Sequence, residues 1–209
     1  ARQPISAKLV ADLIQVSGAT RVICMDLHAA QIQGFFNIPI DNFRSLPIIA
    51  SYLNSKGLSD LVVVSPDHGG VARARALADA LSAPIAIIDK TRPEPNVAEV
   101  MNIIGRVKGK NCIVFDDMID TGGSMSAAAY ALKDAGAKDI YACCTHPLLS
   151  GKAIEKLKAA PIVEMVCTDT VEISADKRFD HLVQLSVAGL LGQGIINIID
   201  DQGVSTLFQ

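Results

Sequence analysis

NCIVFDDMIDTGGSM, residues 111–125, begins as an apolar, β-branched run and ends in acids, glycines and hydroxyls. The run NCIVF predicts a buried strand. It delivers two adjacent carboxylates, Asp116 and Asp117, and a third, Asp120, opens a turn. Thr121, Gly122, Gly123 and Ser124 then lead into a helix over 124–135. Each part has a physical use. Glycines let backbone N–H groups converge on an anion, the helix N-terminus adds its dipole, and two hydroxyls supply further donors. Carboxylates beside such a cradle would repel a phosphate on their own. They make sense if they accept hydrogen bonds from sugar hydroxyls or act through a metal. The element suits a sugar phosphate, diol held by acids and phosphate by the loop, against the plain alternative of a capped turn with solvated acids.

Outward from this stretch, short β-branched runs predict strands at 21–25, 61–65, 85–89, 112–115, 140–145, 162–167 and 181–186. Between them, apolar residues at helical spacing predict helices over 5–16, 47–55, 71–81, 124–135, 152–159 and 189–200. Gly18 and Gly136 stand where two of these helices stop. Such alternation means an α/β fold with a mainly parallel sheet flanked by helices. One stretch breaks the pattern: KTRPEPN, 90–96, reads as a long exposed loop directly after a strand. Residues 97–107 then read as extended, and Lys108-Gly109-Lys110 turns the chain into the next strand, so the two are expected to form a hairpin. Sheet-like signal before Asp41 and after Leu61 suggests two sheets joined by 42–47. The expected division is 1–42, 43–188 and a C-terminal helix and tail, 189–209.

Composition narrows the function classes. Half of the 209 residues are apolar but only 4% are aromatic and Trp is absent, the mix of buried parallel strands and covering helices. A net charge of -3 and a pI near 5.8 give no basic footprint for nucleic acid and no polybasic face for a membrane. No apolar run reaches the ~20 residues of a membrane helix. Cys24, Cys112, Cys143, Cys144 and Cys167 sit inside apolar runs without metal-ligand spacing. They are expected to be reduced thiols acting as small hydrophobes in a cytoplasmic protein.

Three further elements carry candidate chemistry. In VSPDHGGVARA, 64–74, a strand ends at Ser65-Pro66, and Asp67, His68, Gly69 and Gly70 lead into a helix bearing Arg73 and Arg75. Glycines at a helix start with arginines on its first turns suit a diphosphate. Asp67 would repel one directly, so a bridging Mg2+ is one reading and a helix N-cap the other. His68 is as much a solvated loop histidine as a ligand contact. In Met25-Asp26-Leu27-His28, both Asp26 and His28 can point from one sheet end into a cleft, or His28 can be structural. In 90–96, Lys90 and Arg92 are either solvated charges or cations that close over a phosphate.

The 115–125 segment resembles the phosphoribosyl diphosphate-binding motif of the type I phosphoribosyltransferase fold, with Ser124 where the motif usually ends in Thr. Within that fold the chain is most similar to ribose-phosphate diphosphokinases, over MDLHAAQIQGFFNIPIDN (25–42), VVVSPDHGGVARARALAD (62–79) and IIDKTRPEPNVAEVMNIIG (87–105). The resemblance implies diphosphoryl transfer from MgATP to the anomeric oxygen of ribose 5-phosphate, releasing AMP. It implies that Asp116, Asp117, Asp120 and Thr121 to Ser124 take the sugar phosphate, and that Asp67, His68, Gly69 and Gly70 form the diphosphate loop. It further implies that His28 and Asp67 hold Mg2+, with Asp26 orienting His28, and that Lys90 and Arg92 act on the transition state. Asp120 is the nearest candidate for a general base. Arg2, Gln33, Asn42, Ser205 and Phe208 match positions of an allosteric phosphate or ADP site, although Ala30 and Gly203 stand where serines are common, which argues against phosphate regulation. The resemblance also implies a hexamer built from dimers. Family members carry about a hundred further residues before this start, as ordinary domain sizes allow, so the resemblance implies part of a second, similar domain at 1–42 and little activity in the chain alone.

Two rival functions remain. A nucleobase phosphoribosyltransferase uses the same sugar loop, but the 90–96 loop and the IQGFF segment argue against it. A non-catalytic, synthase-associated regulatory subunit would be expected to lose acids or loop cations, and Asp116, Asp117, Asp120, Lys90 and Arg92 are all present.

Overall fold

The computed structural model describes residues 5–91 and 100–208, the side chains at 90, 91, 100, 206 and 208 excepted. The chain divides into two compact units, Ala1–Ser45 with Leu191–Gln209, and Leu46–Leu190.

The larger unit is a seven-stranded sheet between two layers of helix. Its elements are α2 Leu46–Ser55, β3 Leu61–Ser65, α3 Val71–Ala80, β4 Ile85–Thr91, β5 Val100–Ile104, β6 Asn111–Ile119 and α4 Gly123–Asp134, then β7 Ile140–Pro147, α5 Ala153–Ala159, β8 Glu164–Thr168 and β9 Leu182–Leu185. The strand order is β5-β4-β3-β6-β7-β8-β9, and every pairing is parallel except β4 with β5. The predicted α/β class is borne out.

Strand periodicity of two builds the two cores. Val62, Val64, Cys112, Val114, Ile140 and Cys144 face one layer with Leu132 of α4 and Leu157 of α5. Their neighbours Val63, Ile113, Phe115, Tyr141 and Cys143 face the other with Leu53 of α2 and Leu77 of α3. Because β3, β6 and β7 are covered on both sides, they read as continuous apolar runs. All five cysteines are free thiols, and the four in this unit are buried.

Two expectations need correction here. The segment expected to pair across the Lys108-Gly109-Lys110 turn instead pairs back onto β4, from Ile87↔Ile104 to Thr91↔Val100. β6 has both edges taken by parallel neighbours, β3 and β7, so no edge is left for a hairpin. The strand expected to end at 115 runs on to Ile119; Asp116 and Asp117 therefore lie within β6, and Lys90 within β4. At Gly105, φ is +124° and a Cβ would stand 2.8 Å from that of Ala86, so only glycine lets β5 end there.

The smaller unit holds α1 Ser6–Val16, β1 Val22–Met25, a 3-10 turn Ala30–Phe35, β2 Ile40–Phe43 and the latter part of α6 Ala188–Ile199. β1 and β2 are parallel, from Val22↔Ile40 to Met25↔Phe43. β2 was not among the predicted strands. Its central residues, Asp41 and Asn42, are polar and break the apolar run. Asp41 is held by Arg21 through Nε–Oδ2 at 2.7 Å, and Asn42 Oδ1 accepts from Leu27 N–H at 3.1 Å. Phe43 is fully buried, and a Cβ added to Gly194 of α6 would stand 2.1 Å from its Cε2. Among the described residues no helix is long and apolar enough to cross a membrane.

Candidate active site

Strand order reverses direction at β3: β4 lies on one side of it and β6 on the other. In an open α/β sheet such a switch point leaves a crevice beyond the carboxyl ends of the two strands, flanked by the loops that leave in opposite directions. Here those loops are 66–70 after β3 and 120–122 after β6.

On the β6 side, Asp117 is 2% exposed and Asp116 partly so. Two adjacent carboxylates at that burial need a cation. It comes from α3: Arg73 Nη1 lies 3.0 Å from Asp116 Oδ1 and 3.1 Å from Asp117 Oδ1. Asp116 Oδ1 also accepts from the backbone N–H of Asp117 at 2.9 Å. Burial, reinforced by the hydrogen bond to Asp117, raises the Asp116 pKa to about 7, with Arg73 acting in the opposite direction. Arg73 was expected to face a diphosphate; it is instead committed to the carboxylates, while Arg75 is exposed.

Beyond β6 the chain turns through Asp120 and Thr121 to Gly122, which caps α4 with φ +70°. A Cβ there would also meet Ala153 O at 3.2 Å and Leu157 Cγ at 3.3 Å, so glycine is required twice over. The first intrahelical bond runs from Ser126 N–H to Gly122 O at 3.0 Å. The N–H groups of Gly123, Ser124 and Met125 are thus the open donors of the helix end. Thr121 and Ser124 are exposed. Asp116, Met118 and residues 119–125 line a cavity of about 170 Å³. Asp120 accepts from Ser150 Oγ, and its carbonyl accepts from Ser150 N–H at 3.0 Å. Lys156 Nζ donates to Thr121 O at 3.2 Å.

On the β3 side, Gly70 caps α3, and a Cβ there would stand 2.9 Å from Ser65 Oγ. Asp67 Oδ1 accepts from Gly70 N–H at 2.9 Å, and Ser65 Oγ donates to Asp67 O at 2.6 Å. One carboxylate oxygen of Asp67 therefore braces the turn as a cap would, on an exposed side chain. His68 and Gly69 are exposed, and His68 Nε2 pairs with Asp89 Oδ1 of β4 at 2.8 Å.

The remaining candidates are scattered. His28 is exposed after β1 in the smaller unit, and Asp26 there is buried, accepting from Ser45 N–H and Oγ at 2.9 and 2.6 Å. Gln33 donates to Ala30 O at 3.0 Å, Asn42 braces Leu27 as above, and Ser205 is exposed in a short 3-10 turn. Lys90 is in register with Met101, but its side chain lies outside the described residues, as do Arg2, Arg92 and the side chain of Phe208. The sequence did not single out Ser150 or Lys156. Their approach to 120–123 depends on the β6–β7 register, Ile119↔Pro147, which no local pattern announces.

Comparison with known proteins follows the same lines. The sequence pattern of the phosphoribosyl transferase domain matches residues 47–180. The chain is 57% identical over 208 residues to a ribose-phosphate pyrophosphokinase of Halalkalibacterium halodurans, covering 100% of this chain and 66% of that protein. It is 58% identical over 207 residues to one of Bacillus caldolyticus, covering 99% and 66%. The crystal structure of phosphoribosylpyrophosphate synthetase from Mycobacterium smegmatis superposes with a TM-score of 0.90 at 43% identity, over 96% of this chain and 66% of that one.

Proposed function

Since the chain belongs to the phosphoribosyl transferase domain family, we propose that its cleft takes ribose 5-phosphate and serves diphosphoryl transfer from ATP to the anomeric oxygen of that sugar. The observation that carries this is the lining of the 116–125 cavity, where the carboxylates of Asp116 and Asp120 stand with the open N–H groups and hydroxyls of the 121–125 turn. A sugar phosphate has the complementary pattern, with a diol to donate and a phosphate to accept.

Asp116 and Asp117 accept from the ribose hydroxyls, and Arg73 behind them removes the repulsion they would exert on the phosphates. The Gly123, Ser124 and Met125 N–H groups, with the Thr121 and Ser124 hydroxyls, hold the 5-phosphate. Gly69 and Gly70 bring the backbone close to the moving diphosphate, beside His68, whose ring is held by Asp89. The O1–Pβ bond forms as the bond from Pβ to the α–β bridging oxygen breaks, and that oxygen leaves with AMP. Asp120, held in place by Ser150, is the carboxylate assigned to receive the hydroxyl proton. Lys90 and Arg92 oppose the charge that grows on the transferred group.

A divalent cation fits this donor set. Magnesium keeps several waters and takes only one or two carboxylates beside the substrate phosphates; exposed Asp67, with one oxygen engaged by Gly70, presents the other. Bound with the triphosphate, Mg2+ supplies charge neutralisation. The same reading puts the protein in the cytoplasm as a homo-oligomer of dimers, and treats Gln33, Asn42 and Ser205 as a weak regulatory set.

The chain spans 66% of these relatives' length, so the first test is binding. Titration calorimetry should detect ribose 5-phosphate, with Asp117→Asn weakening it about tenfold. Ribose 5-phosphate-dependent formation of AMP from MgATP is the second arm. No binding, or pyrophosphate release on adding a nucleobase to phosphoribosyl diphosphate, would overturn the assignment.

A further inference from the structure

The cavity at 116–125 lacks a counter-charge in its own walls. Its lining includes two acids, Asp116 and Asp120, and no cation. The helix end contributes about half a positive charge, against a phosphate that is close to a dianion near neutral pH. Arg73 is consumed by Asp116 and Asp117 at the opposite end.

The cation comes from the next helix. α5 is seated directly on the loop, because Gly122 has no side chain to hold Ala153 and Leu157 away. Its leading segment grips successive loop residues: Ser150 holds Asp120, Ala153 and Leu157 crowd Gly122, and Lys156 Nζ donates to Thr121 O at 3.2 Å. The same ammonium is 3.9 Å from where a Cβ on Gly123 would stand, at the first open N–H of α4. Lys156 is exposed, and two of its three donors remain for a ligand after the Thr121 bond.

We infer that Lys156 is the phosphate-binding cation of this site, the residue that neutralises the 5-phosphate of the sugar in the 121–124 cradle. The inference rests on the sugar-phosphate reading above. The bond to Thr121 O sets the stem in place, so little side-chain freedom is lost when phosphate enters.

The test is titration of ribose 5-phosphate into the wild-type chain and into Lys156→Gln, Lys156→Arg and Lys156→Glu, at low and moderate salt and on both sides of the second phosphate ionisation. Lys156→Gln is expected to weaken binding about tenfold, Lys156→Glu by more, and Lys156→Arg by no more than about twofold. The wild type should lose affinity as salt rises and gain it as the phosphate becomes a dianion; Lys156→Gln should flatten both dependences. A brace for the loop alone would lower affinity without flattening them, and that result overturns the inference, as does wild-type behaviour in Lys156→Gln or Lys156→Glu. Thermal melts confirm folding, and Lys156→Arg carries the comparison if a neutral variant melts early. Failure of the wild type itself to bind ribose 5-phosphate overturns the sugar-phosphate reading, a separate outcome.

Discussion

Arg73 Nη1 of α3 lies 3.0 Å from Asp116 Oδ1 of β6, tying the helix of one candidate loop to the strand that feeds the other. The same nitrogen is 3.1 Å from Asp117 Oδ1. Removing one partner of a largely buried cluster leaves the other charges uncompensated. Arg73→Ala should destabilise the larger unit by about 3 kcal/mol, discounted from the fully buried case because Arg73 and Asp116 keep some solvent contact. Arg73→Lys should retain part of this, since a point charge replaces a fork. Urea unfolding midpoints measure both; an Arg73→Ala midpoint equal to wild type would show that the cluster contributes nothing.

The raised Asp116 pKa sets a pH dependence. Between the ordinary value of 3.8 and about 7 the unfolded chain gives up a proton that the folded chain retains. The contribution of this group is full in acid and is lost as pH rises through about 7. Asp116→Asn should therefore remove part of the fall in stability between about pH 4 and about pH 7. If wild type and variant lose stability in parallel over that window, Asp116 does not hold the proton.

Gly122 offers a steric test. With φ at +70° and Ala153 O only 3.2 Å from where a Cβ would stand, Gly122→Val should cost about 2 to 3 kcal/mol. It should also displace α5 from the loop, so affinity for ribose 5-phosphate should fall with stability. Melting curves with and without the sugar phosphate separate the two effects. Unchanged melting would mean that the turn has another conformation.

Gly194→Ala probes the smaller unit alone. The added methyl would overlap the buried ring of Phe43, with 2.1 Å to Cε2, and α6 or β2 must shift, at about 1 to 3 kcal/mol. Hydrogen exchange should quicken at 40–43 while β6 and β7 stay protected. Uniform loss of protection over both units would contradict that confinement.

These residues also show what could be read before any coordinates. The β3, β6 and β7 runs are legible because two-sided burial demands unbroken apolar sequence. The turn at Gly122 is legible because its backbone tolerates little else. Arg73 misled because local chemistry says only that an arginine near a glycine loop suits an anion; its partners lie 43 and 44 positions away on a strand that pairs beside β3. β2 was missed because Asp41 and Asn42 are fixed by Arg21 and Leu27, residues flanking β1 whose contacts periodicity does not register. Lys156 was missed for the same kind of reason, being one helix and one register away from Thr121.

The thiols give this molecule two clocks. Cys112, Cys143, Cys144 and Cys167 are sealed in the large sheet, where burial pushes their pKa values up; Cys24 stands alone in the smaller unit, half-buried in β1, where burial pushes its pKa up to about 11. Alkylation needs an exposed thiolate, so the four sealed sulfurs become reactive only when the large sheet opens, while half-buried Cys24 reports on the smaller unit with less to overcome. Timed labelling read by peptide mass would record the lifetimes of the two halves side by side, in one sample of unaltered protein.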